Sequence, residues 1–158
     1  MIGHYTFVPN VKRNKRKMAR QNFVLKMLEE KGEAVWKPKG HSMTPKIDSG
    51  DQVKVRNCSP LVYRVGDIVY AKVRGNYYLH LLTAIDTSAG HGYLSRFQIS
   101  NNYGHVNGWT DAKNMFGICV QIKEKVILTN QQITNRIVES AAKIEVPTTV
   151  LATRTTIK

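Results

Sequence analysis

Residues 68–82, which read IVYAKVRGNYYLHLL, decide the fold. Two runs rich in β-branched and aromatic residues, 68–73 and 77–82, flank the short segment RGN at 74–76. Runs of this composition form strands, and a short connection that contains glycine joins such strands in a hairpin. We therefore predict an antiparallel hairpin at the centre of the chain.

Similar runs lie on both sides of this hairpin. Residues 52–55, 93–100 and 116–123 also read as strands, and no helical pattern separates them. Many short strands joined by turns indicate a mainly β domain with a coiled, partly barrel-like sheet. We assign this β core to residues 37–128.

A helix is expected on the N-terminal side, within a basic segment of residues 1–36. Apolar residues recur at helical spacing from about Asn14, and Gly32 supplies the stop. One side of this helix is expected to pack on the core through these apolar positions. They are Met18, Phe23, Val24, Met27 and Leu28.

A second helix is expected in residues 129–158. Thr129 or Asn130 is the predicted N-cap, and Pro147 ends the helix. The threonine-rich tail, 148–158, is interpreted either as disordered or as a strand added to a neighbouring sheet. The predicted apolar face consists of Ile133, Ile137, Val138, Ala141 and Ile144.

Composition excludes several classes of protein. The 158 residues fit one domain, and no apolar run is long enough to span a membrane. The first residues lack the charged and apolar regions of a secretion signal, so secretion is not expected. Cys58 and Cys119 are far apart, and the five histidines follow no metal-ligand spacing. We predict free thiols in a reducing compartment, with no metal and no cofactor.

Positive charge is concentrated near the N-terminus. The chain has 24 Lys and Arg against 11 Asp and Glu, a net charge of +13. Such a segment either contacts nucleic acid or an acidic protein, or forms a solvated helix start. Both interpretations stay open. The six residues that form this basic arm are Lys12, Arg13, Lys15, Arg16, Lys17 and Arg20.

The candidate catalytic motif is GHSMTP at residues 40–45. A serine between a glycine and a proline lies on a constrained turn that can expose Oγ and a backbone N–H together. Acyl transfer needs such N–H donors, because negative charge develops on the carbonyl oxygen under attack. Ser42 is therefore the candidate nucleophile, with Gly40 and Ser42 forming the turn for the oxyanion.

Three further blocks follow the serine in order. They are GDQVKV at 50–55, VGDIV at 65–69, and the strand that carries His80. Together with the serine motif, this pattern resembles the superfamily of LexA-type repressors and type I signal peptidases, over residues 40–122. The resemblance implies that Ser42 is the nucleophile and that the base position is His80. Histidine is the base in the endoplasmic-reticulum branch, whereas lysine is the base in the other branches.

The sequence departs from this family where an acidic partner of the base is expected. Ser100 and Asn107 occupy those places, and either could hydrogen-bond the imidazole without a full charge. Asp86 and Asp111 are other carboxylates that could take the role. Reduced turnover or none is therefore one expectation.

The predicted function is that of a serine endopeptidase that cleaves an extended peptide, and the expected setting is phage protein processing. Too few residues precede the core for the DNA-binding domain of a self-cleaving repressor. The alternative is an inactive peptidase fold that binds neighbours through both termini in an assembly such as a virion. A third hypothesis is nucleic-acid binding through the basic arm. The expected location is the cytoplasm or a virion.

Overall fold

The computed structural model describes residues 11–143. In this part of the chain two helices flank eight strands, with short 3₁₀ turns at Gly92–Leu94 and Ala112–Asn114. The elements in chain order are α1 (Val11–Lys31), β1 (Glu33–Trp36), β2 (Val53–Arg56), β3 (Ile68–Val73), β4 (Asn76–Asp86), β5 (Arg96–Ser100), β6 (Val106–Asp111), β7 (Met115–Ile122), β8 (Lys125–Val126) and α2 (Asn130–Lys143).

The strands form one antiparallel sheet in the order β1-β2-β7-β3-β4-β5-β6, with β8 paired to β7. The mainly β prediction is confirmed, but the sheet is open and is not closed into a barrel. The sheet nevertheless coils, since β6 contacts β3, which is not its neighbour in the strand order. The Thr110 hydroxyl on β6 donates to the Lys72 carbonyl on β3 at 2.7 Å. This coiling brings β6 close to the central hairpin.

The predicted hairpin is confirmed as β3–β4. Val73 pairs with Asn76 across the turn, and Arg74 and Gly75 have φ values of 48° and 82°. Two consecutive positive φ values are the feature of a turn whose twist matches that of the flanking strands. His80 is thereby fixed opposite Val69 on β3.

Apolar side chains cover both faces of the sheet. Along β3, Val69, Ala71 and Val73 belong to one buried cluster, whereas Ile68 and Tyr70 belong to a second. Successive side chains of a strand point to opposite faces, so the two clusters lie on the two sides of the sheet. The second cluster includes α1, so this helix covers the face that carries Tyr70.

Helix α1 differs from its prediction in the residues that it buries. Val24 and Leu28 are buried as expected, but Met18 is 63% exposed and Phe23 is 54% exposed. The helix ends as predicted, because Gly32 has φ 73° and its N–H donates to the Leu28 carbonyl. Apolar contact therefore holds the C-terminal half of α1.

Helix α2 is held by polar contacts and by Ile133 of its predicted apolar face, which packs against the buried cluster that contains Val69. Thr129 is the N-cap, since its hydroxyl accepts the Gln132 N–H at 3.2 Å. Arg136 forms an ion pair of 2.7 Å with Asp67, and both side chains are largely buried. On the predicted apolar face, Ile137 and Val138 are exposed. Ile144, Pro147 and the tail at 148–158 lie outside the described residues.

Three strands were not predicted, namely β1, β6 and the two-residue β8. β1 follows α1 directly, in the last residues of the segment 1–36, for which only a helix was expected. β6 includes Asn107, which was predicted only as a possible partner of the imidazole. Residues 101–104, just before β6, form a turn. No helix in the span 11–143 is long and apolar enough to cross a membrane.

Candidate active site

Ser42 lies in the loop between β1 and β2, and two buried neighbours fix it there. Met43 and Ile47 are buried in the cluster under α1. The Ile47 N–H donates to the Met43 carbonyl at 3.0 Å, which closes one turn of backbone. Anchors placed just after the serine leave Ser42 itself exposed, at a fixed point on the surface.

Asn102 ties the same loop to the turn between β5 and β6. Its backbone N–H donates to the Ser42 carbonyl at 2.9 Å, and its side-chain Nδ2 donates to the Thr44 carbonyl at 2.8 Å. These bonds hold the backbone on both sides of Met43. This positioning role of Asn102 was not predicted from the sequence.

His80 faces Ser42 from β4. Its Nε2 lies 2.8 Å from the Ser42 Oγ, and the residue is only 7% exposed. Tyr78, two positions earlier on the same strand, packs its ring at 4.9 Å from the imidazole. The imidazole is therefore covered and oriented by its own strand.

Asn107 completes a line of three side chains. Its Oδ1 lies 2.7 Å from the His80 Nδ1. On β5, Ile99 and Ser100 pair with Gly108 and Val106, so Asn107 is the extra residue of a bulge in β6. A bulge redirects a side chain out of the regular alternation, and here it places the amide against His80.

These contacts fix how the protons are arranged. An amide oxygen only accepts, so the His80 Nδ1–H donates to Asn107. Nε2 is then unprotonated and accepts the Ser42 O–H. Burial lowers the pKa of His80 below its ordinary value of 6.5, the hydrogen bond with Asn107 acts in the opposite direction, and His105 adds a smaller lowering. The ring is thus a neutral base at neutral pH.

Of the two predicted orienting residues, the structure brings Asn107 to the imidazole and not Ser100. Ser100 pairs with Leu81, so its side chain lies on the face opposite to His80. Its hydroxyl is hydrogen-bonded to the Thr83 hydroxyl at 2.8 Å.

Neither alternative carboxylate takes the orienting place. Asp86 accepts the Ser88 N–H, and Asp111 pairs with Arg96 at 3.3 Å. Both carboxylates are exposed. The only side-chain partners of the His80 nitrogens in the described part of the chain are Ser42 and Asn107.

Of the two residues expected to form the oxyanion turn, Gly40 does not have a free N–H. The Gly40 N–H donates to the Ser49 hydroxyl at 3.2 Å and is therefore occupied. Gly40 contributes conformation, because its φ of 114° is one that side-chain-bearing residues rarely adopt. Within residues 11–143 the Ser42 N–H has no acceptor, so it is the donor that remains for an oxyanion.

A cleft of about 1040 Å³ opens beside Ser42 and His80. Its walls are the segment before the serine, the first half of β4 and helix α1. Five of the six residues of the basic arm line it, and Lys15 does not. The five are Lys12, Arg13, Arg16, Lys17 and Arg20.

The two cysteines do not form a second reactive centre. Burial raises the pKa of Cys58 to about 11 and that of Cys119 to about 12, so neither thiol is a ready nucleophile. Residues 11–143 hold no group of three or more His, Cys, Asp or Glu side chains that could bind a metal ion.

No protein-family model matches the chain, and no curated protein matches it.

Proposed function

We propose that the protein is a serine endopeptidase of the signal-peptidase and LexA type, in which Ser42 attacks a peptide carbonyl and His80 is the general base. The observation that carries this proposal is the contact of 2.8 Å between the Ser42 Oγ and the His80 Nε2, continued by 2.7 Å from Nδ1 to Asn107. A serine hydroxyl becomes nucleophilic when a neighbouring base takes its proton, and a third group that orients the base completes the arrangement.

The proton follows a simple course in this mechanism. As the Ser42 Oγ bonds to the carbonyl carbon, its proton moves to the His80 Nε2. The C–N bond then breaks, and Nε2 gives that proton to the leaving amine. A water molecule next gives a proton to Nε2 as its oxygen attacks the ester. The ester C–O bond then breaks as Nε2 returns that proton to the Ser42 Oγ, which releases the acid and restores Ser42. The Ser42 N–H stabilises the negative oxygen in both tetrahedral intermediates.

The first half of β4 supports an extended peptide as substrate. Residues 76–80 pair with β3, and the pairing with β5 begins only at Leu81. The other edge of residues 76–80 therefore has no partner strand in the described part of the chain, and it lies beside the cleft. A peptide can add to such an edge as a further strand, with its backbone next to Ser42.

Labelling with a neutral fluorophosphonate probe tests the proposal. The probe bonds to an activated serine oxygen and loses fluoride, so it reports on Ser42 without knowledge of the natural substrate. We expect wild-type protein to be labelled, and Ser42→Ala and His80→Ala to lose at least about 99% of the labelling rate. Ser88→Ala and His91→Ala, at exposed positions away from the cleft, are the matched controls.

Equal labelling of Ser42→Ala and wild type would contradict the proposal. Absence of labelling in folded wild-type protein would favour the alternative, an inactive peptidase fold that acts in an assembly.

A further inference from the structure

The basic side of α1 lines the cleft, and its side chains remain exposed to solvent there. Val24 and Leu28 mark the buried side of the helix. Positions three or four residues apart share a helical face, so this side continues toward the N-terminus through Arg20, Lys17 and Arg13. These three residues line the cleft that contains Ser42.

The exposed apolar residues of α1 do not line the cleft. Met18 and Phe23 are 63% and 54% exposed and are absent from its walls, and so is Lys15. A surface helix normally turns its apolar side inward and its charged side outward. In the N-terminal half of α1 this order is reversed, because Met18 is exposed while the basic residues line the cleft. A role in solubility does not explain that arrangement.

The cleft is strongly unbalanced in charge. Lys39 adds to the five cations of α1, whereas Asp48 is the only carboxylate among the described residues that line the cleft. Cations of like sign around a concave surface repel one another and focus a positive potential into it. A ligand with negative charge relieves this repulsion.

We propose that the cleft side of α1, formed by Arg13, Lys17 and Arg20 with Lys12 and Arg16, binds acidic side chains of the peptide that Ser42 cleaves. The proposal rests on the proposed peptidase function and specifies its substrate class. By helix geometry, Arg13 and Arg20 lie about 10 Å apart along the axis, the length of about three extended residues. The preferred substrate therefore carries two or more Asp or Glu residues within a short stretch on one side of the scissile bond.

The observations favour a peptide over nucleic acid. The basic side chains share one cleft with Ser42 and with the unpaired edge of β4. Single-stranded nucleic acid is usually bound through aromatic rings that stack on the bases. The aromatic residues of this cleft already pack against other rings. Trp36 lies edge-to-face against Tyr70, and Tyr77 stacks on Tyr70. Tyr78 packs on the His80 imidazole.

Fluorescence anisotropy with three labelled probes tests the inference. The probes are hexaglutamate, hexaglutamine and a six-nucleotide oligothymidylate, each measured at low and at physiological salt. We expect hexaglutamate to bind wild type at least about tenfold more tightly than hexaglutamine, and to weaken as salt rises.

Two charge reversals on the same helix supply the matched comparison. Lys17→Glu is expected to weaken hexaglutamate binding about tenfold, because it reverses a charge inside the cleft. Lys15→Glu makes the same change two residues away and outside the cleft, so it is expected to alter the affinity less than about twofold. Both residues are exposed, so both variants should fold. Equal loss of affinity in the two variants would overturn the inference.

Protection of Ser42 separates this inference from the proposed function. Saturating hexaglutamate should slow fluorophosphonate labelling of wild type and of Lys15→Glu, because peptide and probe occupy one cleft. Normal labelling without protection, or oligothymidylate binding that depends on Lys17 while hexaglutamate does not bind, would overturn the inference alone. Failure of wild type to label, with hexaglutamate binding still dependent on Lys17, would instead overturn the proposed peptidase function.

Discussion

The two ends of the cleft depend on different kinds of interaction, short hydrogen bonds at one end and longer-range charge interactions at the other. At one end Ser42, His80 and Asn107 carry no formal charge at neutral pH and touch through hydrogen bonds shorter than 3 Å. At the other end the cations of α1 are exposed and act over longer distances. Short contacts are lost completely when one atom is removed, whereas a field summed over several charges weakens by degrees. Substitutions at the two ends should therefore differ in size and in what they affect.

Among substitutions that leave Ser42 and His80 in place, the largest effect is expected from Asn107→Ala. Without Oδ1, the His80 Nδ1–H loses its acceptor, and the imidazole is free to take the wrong tautomer or to turn away from Ser42. We expect the fluorophosphonate labelling rate to fall about 100-fold, within the range of a general-base contribution. The affinity for hexaglutamate should stay unchanged, because the basic end is intact. An unchanged labelling rate in this variant would show that Asn107 does not orient the base.

The site was predicted from the sequence in part, and Asn107 marks the limit of that prediction. Ser42 and His80 were identified because ordered blocks place them at the right spacing, and the structure brings them into contact. Asn107 stayed one of two candidates. What separates it from Ser100 is a bulge of one residue in β6, and no pattern in the sequence around Asn107 indicated even a strand.

The orientation of α1 could have been found from the sequence. One helical stripe joins the apolar residues Leu28 and Val24 to the basic residues Arg20, Lys17 and Arg13, so the buried apolar end already places the basic end on the cleft side of the helix. The expectation that Met18 and Phe23 pack inward concealed this pattern. The contacts of Asn102 with the serine loop were not predictable, because they join segments distant in sequence.

The next prediction concerns the pH dependence of the labelling rate. His80 acts as a base only when it is neutral, and its pKa lies below 6.5 because burial disfavours the imidazolium. The labelling rate should therefore level off at pH values well above the pKa of His80 and fall about tenfold for each pH unit below it. A rate profile with its acid midpoint above 6.5 would contradict this assignment.

Asn107→Asp gives the matched test of that profile. A carboxylate at the same position keeps the acceptor and adds a negative charge, which raises the pKa of His80. The acid midpoint of labelling should move to higher pH, while the rate above it is retained or increased. A midpoint that stays in place would mean that another group controls the acid side.

The smallest effect is expected from Gly108→Ala, which acts on the bulge and not on a reacting atom. Gly108 has φ 140°, and an added Cβ would lie 3.1 Å from the Val73 Cγ1. Gly104→Ala is the control, since Gly104 also has a positive φ, of 85°, but an added Cβ there meets nothing within 4 Å. We expect Gly104→Ala to lower the free energy of unfolding by about 1 kcal/mol, from backbone strain alone, and Gly108→Ala by about 2 kcal/mol. Urea denaturation measures both.

Gly108→Ala should also slow labelling several-fold, because a shifted bulge displaces the Asn107 Oδ1 from His80. Equal labelling rates in the two variants would mean that the line from Ser42 to Asn107 does not depend on the bulge that places it.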